Sequence, residues 1–174
     1  MKSRKNIVFL GMMGSGKTSI GSLISQKLKL EFVDTDQYIE NKLDMKISKI
    51  FKIKGEEFFR EYEEKTTLNI LKKKKIVISL GGGAFLNQKI RDEILKNHLS
   101  FWLKCDSKTL IKRIRNSTKR PLAFKASNNE LNDMIKLRSK YYIKAKYKVD
   151  CSGLNKNEVI NKIIDIYETK EASN

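Results

Sequence analysis

The chain has 174 residues, 40% hydrophobic and 33% charged, a balance that is typical of one globular domain and argues against a disordered chain. Its formal net charge of +17 suggests a nucleic-acid or anionic-membrane partner, but the lysines are scattered, which favours a solvated surface on an enzyme with anionic ligands. The single histidine, His98, argues against a zinc site and against a Ser/His/Asp triad.

The predicted elements alternate between strand and helix along the whole chain. Short apolar runs predict strands at 6–10, 31–34, 76–80, 99–103 and 147–150. Helical spacing predicts a helix after Thr18 and further helices at 37–53 with a break near Asp44, 56–71, 87–96, 107–115, 130–146 and 155–167. Apolar strands that alternate with helices predict an α/β protein, in which a parallel sheet is covered on both faces.

The loop after the first predicted strand carries a phosphate-binding pattern. From Gly11 to Thr18 the chain reads G-M-M-G-S-G-K-T, which fits G-x-x-x-x-G-K-[ST] in full. The backbone N–H groups of such a loop and the N-terminus of the following helix form a cradle for anions. Lys17 is expected to reach the β- and γ-phosphates of a nucleotide, and the Thr18 hydroxyl to bind Mg²⁺. The loop alone does not choose among kinases, GTPases and motor ATPases.

Two carboxylates follow the second predicted strand, at the edge where open α/β sheets bind ligands. Asp34 and Asp36 lie two positions apart there. One of them could order Mg²⁺ through water, while the other holds or deprotonates an acceptor hydroxyl. The alternative is that this stretch only caps the next helix, with Thr35 or Asp36 as the cap.

Three later features predict an acceptor site and a lid. Arg60 and Glu63 lie three positions apart on one helix face, so that Glu63 can fix the guanidinium for a carboxylate; the alternative is a surface ion pair. Gly81, Gly82 and Gly83 indicate a close approach of backbone to ligand, rather than a simple turn. The polar stretch 116–129, with Arg120 before Pro121, predicts a lid over the phosphates, rather than an ordinary surface loop.

Taken together, these motifs resemble those of shikimate kinase. The matching residues are 11–18, 32–36, Gly55, Glu56, Phe59, Arg60, Glu63, 81–83, 120–122, and Arg138 with Tyr142. The resemblance implies a P-loop, nucleoside-monophosphate-kinase-like fold: a three-layer α-β-α sandwich with a five-stranded parallel sheet. It implies one domain over 1–174, with a mobile lid at about 116–129 and an acceptor-binding helical segment at about 35–63.

The resemblance also implies a reaction and a role for each site residue. The reaction is ATP-dependent phosphorylation of the 3-hydroxyl of shikimate, in aromatic amino acid biosynthesis, with Mg²⁺. The expected catalytic residues are Asp36, Lys17 and Arg120. The expected ATP-binding residues are Gly14, Ser15, Gly16, Lys17, Thr18, Ser19, Arg113 and Arg120. The expected shikimate-binding residues are Asp36, Arg60, Gly82 and Arg138. Thr18 is the expected direct metal ligand, and Asp34 is expected to act through water.

Two other functions remain open at this point. A kinase for another metabolite, such as gluconate, would not need Arg60 and Arg138 acting together on a ring acid. A nucleic-acid-binding P-loop protein would need a contiguous basic stripe and binding that weakens steeply with salt. The resemblance favours ATP and shikimate as the partners of a monomer, with neither nucleic acid nor membrane.

The expected compartment is the cytoplasm. Cys105 and Cys151 are far apart in the sequence and form no C-x-x-C motif, which indicates a reducing compartment and buried apolar roles. The apolar run near the N-terminus is too short for a signal sequence, and no apolar run approaches the length of a membrane span.

Overall fold

The computed structural model describes residues 5–116 and 126–172, and in these ranges five strands form one sheet in the order β2-β3-β1-β4-β5. Every neighbouring pair is parallel. The strands are β1 (Ile7–Leu10), β2 (Glu31–Asp34), β3 (Ile76–Ser79), β4 (Leu99–Lys104) and β5 (Tyr147–Asp150). The parallel five-stranded sheet of the predicted α/β fold is thereby confirmed.

Helices follow the strands in alternation. They are α1 (Lys17–Leu28), α2 (Thr35–Leu43), α3 (Ile47–Leu71), α4 (Gln88–Asn97), α5 (Ser107–Arg115), α6 (Asn128–Tyr142) and α7 (Lys156–Ala172). A short 3₁₀ turn, Ala84–Leu86, precedes α4. All four residues of β1 and all four of β3 are buried. Because successive strand side chains point to opposite faces, both faces of the sheet centre are covered.

The sheet order creates a crevice at the carboxyl ends of the central strands. From β1 the chain crosses to β2 at one edge of the sheet, whereas from β3 it crosses in the opposite direction to β4. Ligands of open α/β sheets bind where the direction of crossing reverses. The phosphate loop follows β1 and the glycine triplet follows β3, so both lie at this point.

Two helix ends differ in detail from the predicted ones. The break near Asp44 is confirmed, and so are the two helical segments predicted on either side of Gly55, because α3 is interrupted there by a non-helical φ of 83° and ψ of 169°. Helix α6 ends at Tyr142 rather than 146 because the next residues turn. Lys146, just before β5, then donates its N–H to Ser100 Oγ on β4. Helix α7 continues to Ala172 rather than 167, since no glycine or proline interrupts it.

A second, smaller apolar cluster lies outside the main core. Its buried members are Ile39 of α2 and Ile50 and Phe59 of α3. The first part of the chain after β2 therefore packs partly on itself, apart from the core around β1 and β3. Within the ranges that the structure describes, no helix is both long enough and apolar enough to cross a membrane.

Candidate active site

The phosphate loop adopts the backbone conformation that its glycines were expected to permit. Gly11, Gly14 and Gly16 have φ of 143°, 80° and 93°, in a region that side chains with a Cβ rarely enter. The loop curls around Lys17, which is only 6% exposed. Lys17 Nζ donates to the carbonyls of Gly11 at 2.8 Å and Met12 at 2.9 Å. The ammonium group is thus held inside the curve of the loop.

The outer side of the loop opens into a cavity of about 260 Å³. Its lining residues come from the loop, α1, α5, the turn after β5 and the first residues of α7: Gly14, Ser15, Gly16, Ser19, Ile20, Arg113, Cys151, Leu154, Lys156 and Val159. Arg113 Nη1 donates to the Gly14 carbonyl at 3.0 Å. The Ser15 hydroxyl is buried and has no hydrogen-bond partner among the described residues. Buried polar atoms are normally paired, so this hydroxyl favours a polar ligand in the loop.

Oxygen atoms from three elements meet beside the loop. Thr18 Oγ1 donates to Asp34 Oδ2 at 2.6 Å and lies 3.5 Å from Ser79 Oγ at the end of β3. The other Asp34 oxygen accepts the Gln37 N–H at 3.2 Å, so Asp34 also caps α2. The sequence had suggested Thr35 or Asp36 for that capping role, and this was wrong because the helix begins at Thr35.

These oxygen atoms fit a magnesium ion bound together with phosphates. Mg²⁺ in kinases takes oxygen ligands, usually one or two protein groups with the remainder from phosphates and water. Among the described residues, no cluster of three or more His, Cys, Asp or Glu side chains could hold a metal by itself. The Thr18 hydroxyl and the Asp34 carboxylate, 2.6 Å apart beside the phosphate loop, match a Mg²⁺ ion that is held partly by protein groups and partly by phosphate oxygens.

The glycine triplet after β3 is surrounded by charged side chains. A Cβ built on Gly81 would lie 2.5 Å from Asp36 Oδ1 and 3.0 Å from Glu63 Oε1. On Gly82 it would lie 3.1 Å from Arg138 Nη1, and on Gly83 2.7 Å from Arg60 Nη1. Any side chain in the triplet would therefore displace one of these groups. The predicted acceptor residues Asp36, Gly82, Arg60 and Arg138 do lie together.

The triplet also touches the phosphate loop. A Cβ built on Gly82 would lie 3.9 Å from both the Gly11 carbonyl oxygen and the Met13 nitrogen. Arg138 Nη1 lies 4.0 Å from the Met12 sulfur. The group of acidic and basic side chains is thus next to the place where a γ-phosphate would be held.

Arg60 is fixed on several sides. Its Nη1 donates to Glu63 at 2.8 Å, its Nε and Nη2 each lie 3.3 Å from Glu56, and its guanidinium lies 5.3 Å from the Phe59 ring centre. Glu63 is only 3% exposed, so this is not the surface pair that the spacing alone would suggest.

Both members of the Arg60–Glu63 ion pair have shifted pKa values. Burial raises the pKa of Glu63 above its ordinary value, with a further rise from Asp36, while Arg60 and Arg138 act to lower it. For Arg60, burial acts to lower the pKa, but Glu63 and Glu56 hold it above its ordinary value. The guanidinium therefore stays charged and faces the glycine triplet.

Two hydroxyl groups from distant elements hold the triplet backbone. The Gly81 N–H donates to Thr35 Oγ1 at 2.8 Å, and Thr35 is fully buried. The Tyr142 hydroxyl donates to the Gly82 carbonyl, and its ring packs 6.0 Å from that of Trp102. One hydroxyl thus fixes an amide of the turn and the other fixes a carbonyl.

Sequence reasoning placed most of this site and missed part of it. Ser79 and Thr35 received no role beyond a possible cap, although a serine ending an otherwise apolar strand was an available signal for Ser79. Tyr142 was noted in a motif without a function. Arg120, predicted in the lid, lies outside the described residues, as does Pro121.

Comparison with known proteins gives one consistent result. A family model described as shikimate kinase matches residues 13–168. A shikimate kinase from Thermodesulfovibrio yellowstonii is 39% identical over 165 residues, which cover 94% of this chain and 95% of that protein. The structure of shikimate kinase from Acinetobacter baumannii in complex with shikimate aligns with a TM-score of 0.89 at 27% identity, covering 95% of this chain and 94% of that one.

A more distant neighbour shares the fold alone. The structure of a deoxyadenosine kinase from M. mycoides aligns with a TM-score of 0.63 at 18% identity, covering 94% of this chain and 98% of that chain. Since that protein is a kinase for a different acceptor, the architecture does not select the acceptor. The residues around the glycine triplet select the acceptor.

Proposed function

This chain belongs to the shikimate kinase family, and from that premise we propose how its residues divide the work of phosphoryl transfer. The protein is an ATP-dependent shikimate kinase, which phosphorylates the 3-hydroxyl of shikimate on the route to chorismate and the aromatic amino acids. One observation carries the residue assignment. Two arginines and two carboxylates converge on the backbone of Gly81, Gly82 and Gly83, directly beside the phosphate loop.

The nucleotide occupies the loop and the cavity beside it. Backbone N–H groups of Gly14, Ser15 and Gly16, with Lys17, bind the β- and γ-phosphates. On nucleotide binding the Lys17 ammonium exchanges its bonds to loop carbonyls for bonds to phosphate oxygens. The base and ribose lie in the cavity of about 260 Å³, where Ser19 and Arg113 form part of the wall. The planar Arg113 guanidinium is suited to stacking on the base.

The acceptor occupies the charged group around the triplet. Arg60 and Arg138 bind the shikimate carboxylate, since a fixed guanidinium matches a carboxylate with two parallel hydrogen bonds. The Gly82 amide contacts the acceptor through its N–H. Glu63 binds no ligand in this scheme; it holds Arg60 at 2.8 Å and so keeps the fork aimed.

Asp36 orients the acceptor hydroxyl and accepts its proton as the phosphorus–oxygen bond forms. Its carboxylate lies beside Gly81, in the triplet that also meets Arg138 and Arg60. Thr18 would hold Mg²⁺ directly, and Asp34 would hold it through water. The ion, when bound, supplies neutralisation of charge on the β- and γ-phosphates. In a loose transition state most of the rate enhancement comes from positioning and electrostatics, which these fixed groups provide.

Residues 1–174 act as one domain, in which 35–63 is the acceptor-binding segment and 116–129 the lid that brings Arg120 to the phosphates. The separate apolar cluster of Ile39, Ile50 and Phe59 supports such a segment. The working unit in this proposal is a monomer. Two unpaired cysteines support a cytoplasmic location.

A pair of substitutions tests the division of the site into a nucleotide half and an acceptor half. Arg60→Ala is expected to raise the KM for shikimate roughly ten- to hundred-fold, with the KM for ATP within about twofold. Arg113→Ala is expected to do the reverse, because Arg113 lines the nucleotide cavity. Each variant serves as the control for the other, in the same assay and at the same Mg²⁺ concentration. If Arg60→Ala raised the KM for ATP and left that for shikimate unchanged, the assignment of the two halves would be wrong.

A further inference from the structure

The two cysteines, distant in sequence, follow the ends of neighbouring strands. In the register of β4 and β5, Lys104 lies opposite Asp150, and the Cys151 N–H donates to the Lys104 carbonyl at 2.8 Å. Cys105 and Cys151 are the next residues on each side. Neighbouring strands are about 4.8 Å apart, within the Cα separation of about 4.4–6.8 Å found for disulfide-bonded cysteines.

The two cysteines have polar neighbours. Arg113 Nη1 lies 3.9 Å from Cys105 Sγ. Cys105 Sγ is also 3.9 Å from the Ser15 carbonyl, whereas Cys151 Sγ is 3.5 Å from the Val149 carbonyl. The surroundings of the two sulfurs therefore differ, and a cation is near Cys105 alone among these contacts.

We propose that Cys105 and Cys151 are a peroxide-sensitive dithiol, and that its oxidation to a disulfide is a covalent modification on the nucleotide side of the site. The neighbouring Cys151 thiol lowers the pKa of Cys105 to about 7, against the effect of burial, and Arg113 lowers it further while Asp106 acts the other way. The pKa of Cys151 is raised by its interaction with Cys105 and by burial. Cys105 is thus the nucleophile and Cys151 the second, resolving thiol.

A small oxidant has access to both sulfurs. Each cysteine is 8% exposed, and Cys105 also lines a cavity of about 170 Å³ that lies between β4, α5 and α6. Cys151 lines the nucleotide cavity on the other side. Hydrogen peroxide is little larger than water, which takes up about 30 Å³ in the liquid, so either cavity admits it.

The oxidation balances with one molecule of hydrogen peroxide. The Cys105 thiolate attacks one peroxide oxygen, the O–O bond breaks, and the departing hydroxide takes the proton that the thiol released and becomes water. The Cys151 sulfur then attacks the sulfenic sulfur of Cys105, the S–O bond breaks, and the second water leaves with the Cys151 proton. Two thiols lose two electrons in total, and one peroxide is reduced to two waters.

The functional consequence rests on the proposed function. Disulfide formation withdraws the Cys105 sulfur from the Ser15 carbonyl and from Arg113, which itself donates to Gly14. It also ties down Cys151, where the segment that carries Leu154 into the nucleotide cavity begins. We expect the oxidised protein to have a KM for ATP at least fivefold higher, with the KM for shikimate within twofold and full recovery after treatment with dithiothreitol.

The test first measures whether peroxide forms the disulfide, and then measures the KM for ATP of the oxidised protein. Reduced full-length protein is treated with hydrogen peroxide, and its free thiols and non-reduced peptides are followed by mass spectrometry. The expected result is loss of both thiols with a Cys105–Cys151 peptide in the monomeric fraction. In Cys151→Ser a sulfenic acid that dimedone traps should accumulate on Cys105, whereas Cys105→Ser should react at least tenfold more slowly. An intact thiol pair, sulfinic acids without a disulfide, or a disulfide only between two chains would overturn the proposal.

The outcomes separate the dithiol from the enzymatic assignment. The peptide analysis uses the unaltered chain, so it decides the matter even if a serine variant fails to fold. Should the reduced protein show no shikimate-dependent turnover, the proposed function would fail while the disulfide result still stood. If the disulfide forms and the KM for ATP stays unchanged, the modification exists but its effect on the nucleotide side is refuted.

Discussion

Gly81→Ala is the substitution whose effect follows most directly from the geometry of the site. Gly81 does not have a positive φ, so alanine meets no backbone penalty there. Its Cβ would lie 2.5 Å from Asp36 Oδ1 and 3.0 Å from Glu63 Oε1. To restore ordinary contact, the Asp36 carboxylate has to move by roughly 1 Å. A misplacement of about 1 Å at a reacting group costs about 100-fold in rate. We therefore expect kcat to fall about 100-fold.

Gly83→Ala is the matched control in the same turn. Its Cβ would meet the Arg60 guanidinium, which Glu63 and Glu56 hold in place, at 2.7 Å. This variant is expected to raise the KM for shikimate and to change kcat much less. Both variants are measured by coupled ADP release with saturating ATP and varied shikimate, together with thermal unfolding, because added volume in a packed site commonly costs about 1–3 kcal/mol of stability.

One result would refute the reasoning about Asp36. A folded Gly81→Ala variant with kcat within about threefold of the unaltered protein would mean that the triplet does not position this carboxylate. Asp36→Asn adds no atom to the turn and is expected to lower kcat to a similar extent. If Gly81→Ala failed to fold, a folded and fully active Asp36→Asn would contradict the assignment by itself.

Three further substitutions test other parts of the site. Lys17→Ala should lower kcat by more than about 100-fold while leaving the melting temperature near that of the unaltered protein, and a folded, fully active variant would sink the phosphate-loop assignment. Tyr142→Phe should raise the KM for shikimate about tenfold with the KM for ATP unchanged, whereas Tyr141→Phe, whose ring lies over Arg91, should do neither; equal effects would argue for a general loss of packing. For Glu63, burial raises the folded-state pKa above its ordinary 4.5, so the folded protein holds the proton more tightly and Glu63 loses its stabilising contribution as pH rises through that window. The stability of the unaltered protein relative to Glu63→Gln should therefore fall as the pH rises above the ordinary pKa of 4.5 in thermal melts, and a difference that rises would contradict the burial argument.

The sequence predicted those features that depend on local patterns. The apolar strands and the glycine-rich loop are each continuous in the chain. The succession of strands and helices along the chain, and the phosphate loop, could therefore be predicted from the sequence. The bounds of β2, α5 and β5 agree with the predicted ones residue by residue. The break near Asp44 was also predicted, and Asp44 ends α2 there with a left-handed φ of 46°.

The features that were missed depend on contacts between distant parts of the chain. Thr35 and Tyr142 bond to the glycine triplet over separations of 46 and 60 residues, which no local pattern reveals. Arg60 and Glu63 have the spacing of a surface pair, and only the packing of α3 against the triplet buries the glutamate. The end of α6 is set by the hydrogen bond from Lys146 to Ser100 on β4, again a tertiary contact.

ADP release from Mg-ATP, with and without shikimate and with gluconate as the alternative acceptor, tests the central claim most directly. The account predicts strong stimulation by shikimate, little by gluconate, and a phosphorylated product at the 3-hydroxyl. Folded protein that binds ATP but responds to neither acid would contradict the acceptor assignment. It would leave the phosphate loop in place and direct attention to nucleic acid as the ligand of this basic chain.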